Sequence, residues 1–440
     1  MKKQNVTQGT IYLMFAQVAF VASGYAIHIG LARLLGPSEY GIYAVVISLM
    51  MMVTLILTTG IPQAVSKYVA HDDGSAKEIR NTALKMQLVF SLAIFSIYFL
   101  LAGQIAMLLN DASLTPYLRA SSFIVPGYAV YSILVGYLNG LREYKKQAIT
   151  AVSYSIFKAT FILAMVVVGY AVMGAVVGFV FAPIAGLVVT LYFTRHVKIS
   201  NNRKHSPAQA DSNSSHVQDI AQDTFNHVSS ITVKQIMDFA VPIALFSVAT
   251  NLIMSVDLFF IKAYLTNYDT GIYSAASMIA RVPFFLIGGL YGALFPAISH
   301  STASNNIEKT RKYISQSLKY SLMAMVPAVV IISAMADKIL PLVYSGEYAG
   351  GAQVLSILVI GLGFYSLFFL FTTILNGSGR PRDSLILGVV VLGIDVLLNF
   401  LLVPGYGMMG AAAATGGACL VGFVVGGGWV YRCTLQEDFI

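Results

Sequence analysis

The chain has 440 residues, of which 57% are apolar and only 10% charged, against roughly a quarter charged in an average soluble domain. That balance excludes a soluble enzyme or nucleic-acid-binding domain and defines an integral membrane protein, so the net charge of +8 must be explained by where the lysines and arginines lie. Two cysteines, Cys419 and Cys433, are too few for a disulfide framework or a thiolate metal site.

Apolar stretches of about 20 residues, the length that crosses the hydrocarbon core, predict twelve helices. They fall near residues 10–34, 41–66, 83–109, 118–140, 147–169, 172–195, 236–263, 270–299, 313–336, 352–377, 384–403 and 408–431. Residues 1–10 are a short basic start, and the apolar run from Ile11 is too long for a cleaved signal core, so the first segment is expected to remain as an anchor. Between the sixth and seventh helices lies a long polar stretch rich in Ser, Asn, Asp, Gln and His. The predicted fold is all-α, with an N-terminal six-helix lobe (1–195), a polar cytoplasmic linker (196–232) and a C-terminal six-helix lobe (233–440). The linker histidines His196, His205, His216 and His227 lack metal-ligand spacing, which predicts a solvated loop.

Three phrases occur twice, about half the chain apart. Gly41-Ile42-Tyr43 returns as Gly271-Ile272-Tyr273, Leu138-Asn139-Gly140 as Leu375-Asn376-Gly377, and Met173-Gly174-Ala175 as Met409-Gly410-Ala411, at offsets of 230, 237 and 236 residues. A duplicated membrane unit is the mark of a transporter whose halves rock about a shared site. With six helices in each copy, both have the same orientation, and the pseudo-two-fold axis runs along the membrane normal.

Charge supports this topology. With the N-terminus inside, 21 of the 27 lysines and arginines fall on the inner side and four, Arg33, Arg119, Lys262 and Lys338, on the outer side. This positive-inside bias places both termini in the cytoplasm. Contact with anionic headgroups of membrane lipids then explains the basic loops without nucleic acid.

Ala32 to Tyr43, reading ARLLGPSEYGIY, resembles the opening signature of polysaccharide flippases of the Wzx type. Gly271-Ile272-Tyr273 through Val282-Pro283 to Leu294-Phe295-Pro296 resembles the eighth helix shared by those flippases and the lipid II flippase MurJ. The resemblance implies the multidrug/oligosaccharidyl-lipid/polysaccharide exporter (MOP) superfamily: two six-helix lobes that move a lipid-linked oligosaccharide across the cytoplasmic membrane by alternating access. It implies a lipid-linked glycan as substrate, with a glycan polymerase or glycosyltransferases as possible partners and no nucleic acid.

Polar groups stranded inside helices are the candidate site, because each costs kilocalories unless paired or wet. Lys158 lies about eleven residues from either end of the predicted fifth helix, too deep to snorkel, and the repeat carries it onto Asp395 in the eleventh. Arg281, two residues before Pro283, would border the cavity in the resembled family and hold a substrate phosphate. Arg33 and His28 on the first helix complete the candidate substrate set.

A second group collects oxygen ligands. Asp395 and Asn399 stand one turn apart, with Thr415 on the twelfth helix and Asp257 on the seventh. Together with the carbonyl of Ala411 they form a candidate hard-cation site. It is similar to the sodium site of MurJ, with the acid and amide of the eleventh helix exchanged. Sodium as a coupling ion is the expectation, with no other cofactor and no catalytic residues. The absence of a GxxxxGK[ST] loop argues against ATP as the driving force. The rival readings are a multidrug/cation antiporter of the same superfamily and a membrane glycosyltransferase or polymerase.

Overall fold

The computed structural model describes residues 6–71, 75–195, 245–304 and 306–435. The linker 196–232, with its four histidines, lies outside the described residues. Among those described, eight helical stretches are long and apolar enough to cross a membrane, and a bent pair, Leu245–Ile253 and Val256–Tyr264, makes a ninth.

Three of the nine, Gln8–Ala70, Tyr144–Arg195 and Pro381–Arg432, are 63, 52 and 52 residues long. At 1.5 Å per residue each would exceed about 75 Å if straight, more than twice a bilayer core of ~30 Å. Each folds back at a break: Gly36 (φ 73°) in the first, Gly169 (φ 102°) with Ala171 (φ 44°) in the second, and Gly407 (φ 58°) in the third. His28 bonds to Tyr40 twelve residues on, Gly178 packs on the backbone of Ile162, and Gly422 packs on Val391. None of these pairs could meet along a straight helix. Two arms in each of the three give twelve membrane helices in two six-helix lobes. Val89, Leu100 and Val424 are 72%, 69% and 61% exposed, an apolar outer surface suited to lipid.

The observed helices depart from the predicted bounds at three breaks. The second helix stops at Thr58 and restarts as Ile61–His71. The seventh bends by 51° between Ile253 and Val256. The eighth divides into Asn267–Ala280 and Val282–Ala303 at Arg281, where Pro283 lacks the N–H that would bond to the Ile279 carbonyl. The tenth, Ala352–Gly377, matches its predicted span.

The lobes meet where the first two helices cross the eighth. At this crossing Gly41 lies on the carbonyl of Asn267 and Gly271 on the carbonyl of Pro37; a Cβ on either glycine would overlap the facing backbone. Pro37 and Asn267 are themselves related by the 230-residue offset. The contact is reciprocal, and the pseudo-two-fold axis passes through it. One end of the bundle carries Lys77, Lys145, Arg195, Lys309, Arg380 and Arg432; it is called the basic face below.

Candidate functional site: a cationic cavity between the lobes

A cavity of about 600 Å³ opens between the lobes, lined by the first, second, seventh and eighth helices with Tyr128, Lys158 and Phe179. It runs from the glycine crossing toward the basic face, where Gln17, Leu55 and Thr58 complete it. Three of the four residues predicted for substrate, His28, Lys158 and Arg281, line this one space, and among the described residues no Asp or Glu does.

Lys158 projects from the helix Tyr144–Met165 and is 2% exposed. Its ammonium stands 4.5 Å from the ring centre of Phe20, 5.5 Å from Phe179 and 5.7 Å from Tyr154. Among the described residues no carboxylate lies within 4 Å of it. Ring quadrupoles hold a cation with about 0.5–2 kcal/mol each, so the charge is positioned without being neutralised. Arg281 sits at the break of the eighth helix; its Nη2 donates to the Met254 carbonyl at 2.6 Å, while its buried Nε has no partner among the described residues. That carbonyl is free because the seventh helix bends there. His28 shares a 2.8 Å hydrogen bond with the Tyr40 hydroxyl, its ring edge-on to Tyr40 and Tyr43.

Arg33 is elsewhere. Its guanidinium crosses to the other lobe, donating to the carbonyls of Val343 at 2.8 Å and Leu342 at 2.6 Å. It belongs to a set of interlobe bonds at the end opposite the basic face. Tyr348 donates to the Ala32 carbonyl at 2.9 Å, Asn110 to the Ala263 carbonyl at 2.6 Å, and Lys262 pairs with Asp111 at 2.7 Å and also bonds to Asn267. The lobes are thus latched at that end, and the cavity extends toward the other.

The oxygen-rich group also assembles. Asp257, Asp395, Asn399, Ala411 and Thr415 are all buried, the last four at 0% exposure. Asp257 Oδ1 accepts from the Leu258 N–H at 2.7 Å and Oδ2 from the Tyr273 hydroxyl at 2.5 Å, with the Thr415 hydroxyl at 3.5 Å. The Asn399 amide donates to Asp395 Oδ1 at 2.9 Å. Asp395 Oδ2 and Asn399 Oδ1 are left without partners among the described residues. Two orphaned acceptors beside buried carboxylates lack the compensation that burial demands, which a bound cation, or a proton shared between them, would supply. The donors gathered here are all oxygens, a set that would suit a hard ion, although no cluster of three His, Cys, Asp or Glu occurs among the described residues. Ala411 lies one turn before Thr415, inside a helical run, so its carbonyl would contribute a second lone pair.

Tyr273 was not among the sequence candidates. It was present as the third residue of a repeated phrase, and its role follows from the superposed lobes: its counterpart Tyr43 faces the cavity with an unpartnered hydroxyl, whereas Tyr273 caps a carboxylate. The pseudo-symmetry is also informative at Lys158. Asp395 and Thr415 correspond to Lys158 and Phe179, at offsets of 237 and 236. One lobe gathers oxygens at this place; the other holds a fixed ammonium against a ring.

Two rocking lobes of six helices around one central cavity define a membrane transporter of the MOP superfamily. The chain belongs to the polysaccharide biosynthesis protein family, whose profile matches residues 6–302; a second profile, MatE, matches residues 242–401. Stage V sporulation protein B of Bacillus subtilis is 24% identical over 437 residues, covering 94% of this chain and 81% of that protein. The probable low-salt glycan biosynthesis flippase Agl15 of Haloferax volcanii is 24% identical over 159 residues, 36% of this chain and 34% of the relative. A solved inward-facing multidrug resistance MATE family transporter of the MOP superfamily shares the fold with a TM-score of 0.71 at 15% identity, covering 96% of each chain.

Proposed function

We propose that this transporter flips a lipid carrying an anionic phosphate or diphosphate headgroup and an oligosaccharide across the cytoplasmic membrane. The basic face is cytoplasmic, with both termini on that side. The observation that carries the reading is the charge of the cavity: Lys158 and Arg281 line it, His28 stands beside them, and among the described residues no carboxylate does. A cation antiporter needs the opposite sign, so the two fixed cations of the cavity favour the flippase reading over the multidrug alternative. The headgroup enters from the cytoplasm while its lipid tail stays in the bilayer. The unpaired Nε of Arg281 and the ring-held ammonium of Lys158 then replace the water that phosphate loses, at sites where a charge-assisted hydrogen bond is about twice as strong as a neutral one. Glycosyltransferases that supply the lipid-linked glycan, and a polymerase that consumes it, are the partners this cargo requires.

The same reading takes sodium as coupling ion, held by Asp257, Asp395, Asn399, Thr415 and the carbonyl of Ala411. An ion shifts an equilibrium between two states only by its difference in affinity for them, so some of these ligands must separate when the lobes rock.

The test is transport of a fluorescent lipid-linked oligosaccharide in proteoliposomes. Lys158→Ala and Arg281→Ala are each expected to slow flipping at least tenfold, while Lys158→Arg retains a large part of the rate. Wild-type rates in both alanine variants, with normal insertion, overturn the proposal.

A further inference from the structure

A second cavity of about 360 Å³ adjoins the first and shares Phe20, Thr58 and Tyr128 with it. It lies wholly within the N-terminal lobe, toward the basic face: Gln63 comes from the helix Ile61–His71, Asn139 from the last turn of Ile124–Gly140 and Gln147 from the first turn of Tyr144–Met165. Among the described residues its walls carry no charged one. Amides and hydroxyls alternate with three tyrosines, of which Tyr131 and Tyr154 stack with ring centres 5.2 Å apart and Tyr128 lies 6.0 Å from Tyr154. The Oε1 of Gln147 is buried with no partner among the described residues. Such an atom calls for a ligand donor.

The C-terminal lobe provides an internal control. At an offset of 237 residues, Ser132, whose small side chain leaves this space open, corresponds to Phe369, and Gln147 to Ser384. Phe369 fills its side, packed against Phe284, Tyr291 and Tyr365 at 5.4, 5.2 and 6.3 Å. Ser384 is satisfied, donating to the Thr372 carbonyl at 3.1 Å. At these matched positions the C-terminal lobe is filled and satisfied, so packing the fold does not require the cavity.

Resting on the phosphate reading above, we infer that this pocket is a subsite for uncharged sugar. A pyranose offers a ring of hydroxyls and two faces of C–H bonds; amide side chains match the first and tyrosine rings the second, the pattern of a few placed polar groups on an aromatic wall. Tyr154 and Phe20 belong both to this pocket and to the rings around Lys158. A sugar held there therefore lies beside a phosphate held at Lys158, in the order that a glycosyl diphosphate presents them. With no cation on its walls, the subsite has nothing to offset the desolvation of a carboxylate. It selects neutral sugars over uronic acids in the residue next to the phosphate.

The probes are citronellyl diphosphate, bare and linked to glucose, galactose, N-acetylglucosamine or glucuronate, with affinity measured by calorimetry on the detergent-solubilised full chain. For the wild type, at least one neutral sugar is expected to tighten binding about five- to tenfold over bare diphosphate, the effect of one to two net hydrogen bonds, and glucuronate not at all. Gln147→Leu, and Ser132→Phe, which introduces the C-terminal lobe's residue, are expected to erase that gain and leave bare diphosphate binding unchanged. A gain intact in Gln147→Leu, or absent for every neutral sugar in the wild type, overturns the subsite. Failure of the phosphate reading is separate: bare diphosphate then binds Lys158→Ala and Arg281→Ala as well as wild type, whatever the sugars do.

Discussion

Ala171 and Gly407 are equivalent residues, 236 positions apart, and adopt one conformation: φ 44°, ψ −135° for the alanine and φ 58°, ψ −138° for the glycine. Each turns a hairpin between its lobe's fifth and sixth helices. Glycine enters that region freely, whereas a side chain there costs about 1–3 kcal/mol. Ala171→Gly should therefore stabilise the protein by about 1 kcal/mol, after allowing for the greater freedom of glycine in the unfolded chain. Gly407→Ala should destabilise it by a similar amount. Thermal denaturation in detergent measures both; a lower melting temperature for Ala171→Gly refutes the strain.

At the same scale, Lys158, Arg281 and the Asp395–Asn399 pair were legible in the sequence because an intramembrane charge has so few explanations. Tyr273, Gln147 and Ser132 were not. A tyrosine, a glutamine near a helix end and a serine are ordinary in a membrane protein, and each acquires meaning only from which neighbour fills, or leaves open, the space beside it.

The half-helix Val256–Tyr264 is nine residues long and joins three sites. Asp257 at its start belongs to the oxygen cluster, Lys262 near its end latches to Asp111 of the other lobe, and the Met254 carbonyl at its hinge is held by Arg281 from the cavity. Neither Pro nor Gly marks the bend, so the sequence reading passed over it. It is maintained by bonds from elsewhere, Arg281 to Met254 and Tyr365 to the Thr250 carbonyl at 3.0 Å. A body this short moves as a unit, so a change at Asp257 is felt at the latch.

The latch has a predictable pH response. Burial acts to raise the Asp111 carboxyl, but hydrogen bonds from Lys262 and Ser113 and the lysine charge outweigh it, and the group sits below the ordinary carboxylate range. A depressed carboxyl stabilises the latched state fully above its free value of about 4 and loses that contribution as pH falls through the depressed value. Spin labels on cysteines at Leu34 and Leu342, exposed residues of opposite lobes at this end, should stay close at neutral pH and separate only as pH falls below the ordinary carboxylate range. Asp111→Asn should separate them already at pH 7 and flatten the response. A distance at pH 7 that is the same in Asp111→Asn as in the wild type rules the latch out.

For the whole molecule, closure opposite the basic face together with a cavity extending toward it describes one end state of a rocking cycle. Sodium binding is measurable against this state as a global quantity. A ligand that binds only the folded protein stabilises it by RT ln(1 + [L]/Kd), about 2.7 kcal/mol at 100 Kd. Sodium should thus raise the melting temperature above that in potassium at equal ionic strength, and Asp257→Asn with Asp395→Asn should remove the difference. Equal melting in both salts across a wide concentration range refutes the sodium site. Twelve helices and two lobes were legible because length, apolarity and repetition survive without knowledge of contacts. The asymmetry between the lobes was less so, since it resides in single substitutions at matched positions.

The reciprocal glycine contact has a consequence for ancestry. A patch that meets its own copy across a two-fold axis is the geometry of an isologous homodimer, here built from Pro37 to Gly41 against Asn267 to Gly271. A six-helix protein corresponding to one lobe would already carry both halves of that contact and would pair with itself. Such a homodimer, however, cannot place lysine on one side and aspartate on the other, nor leave a pocket open in one subunit and plug it with phenylalanine in its twin. Joining the two copies in one gene freed each position to diverge separately. Lys158 opposite Asp395, and Ser132 opposite Phe369, are differences that only a fused pair can inherit.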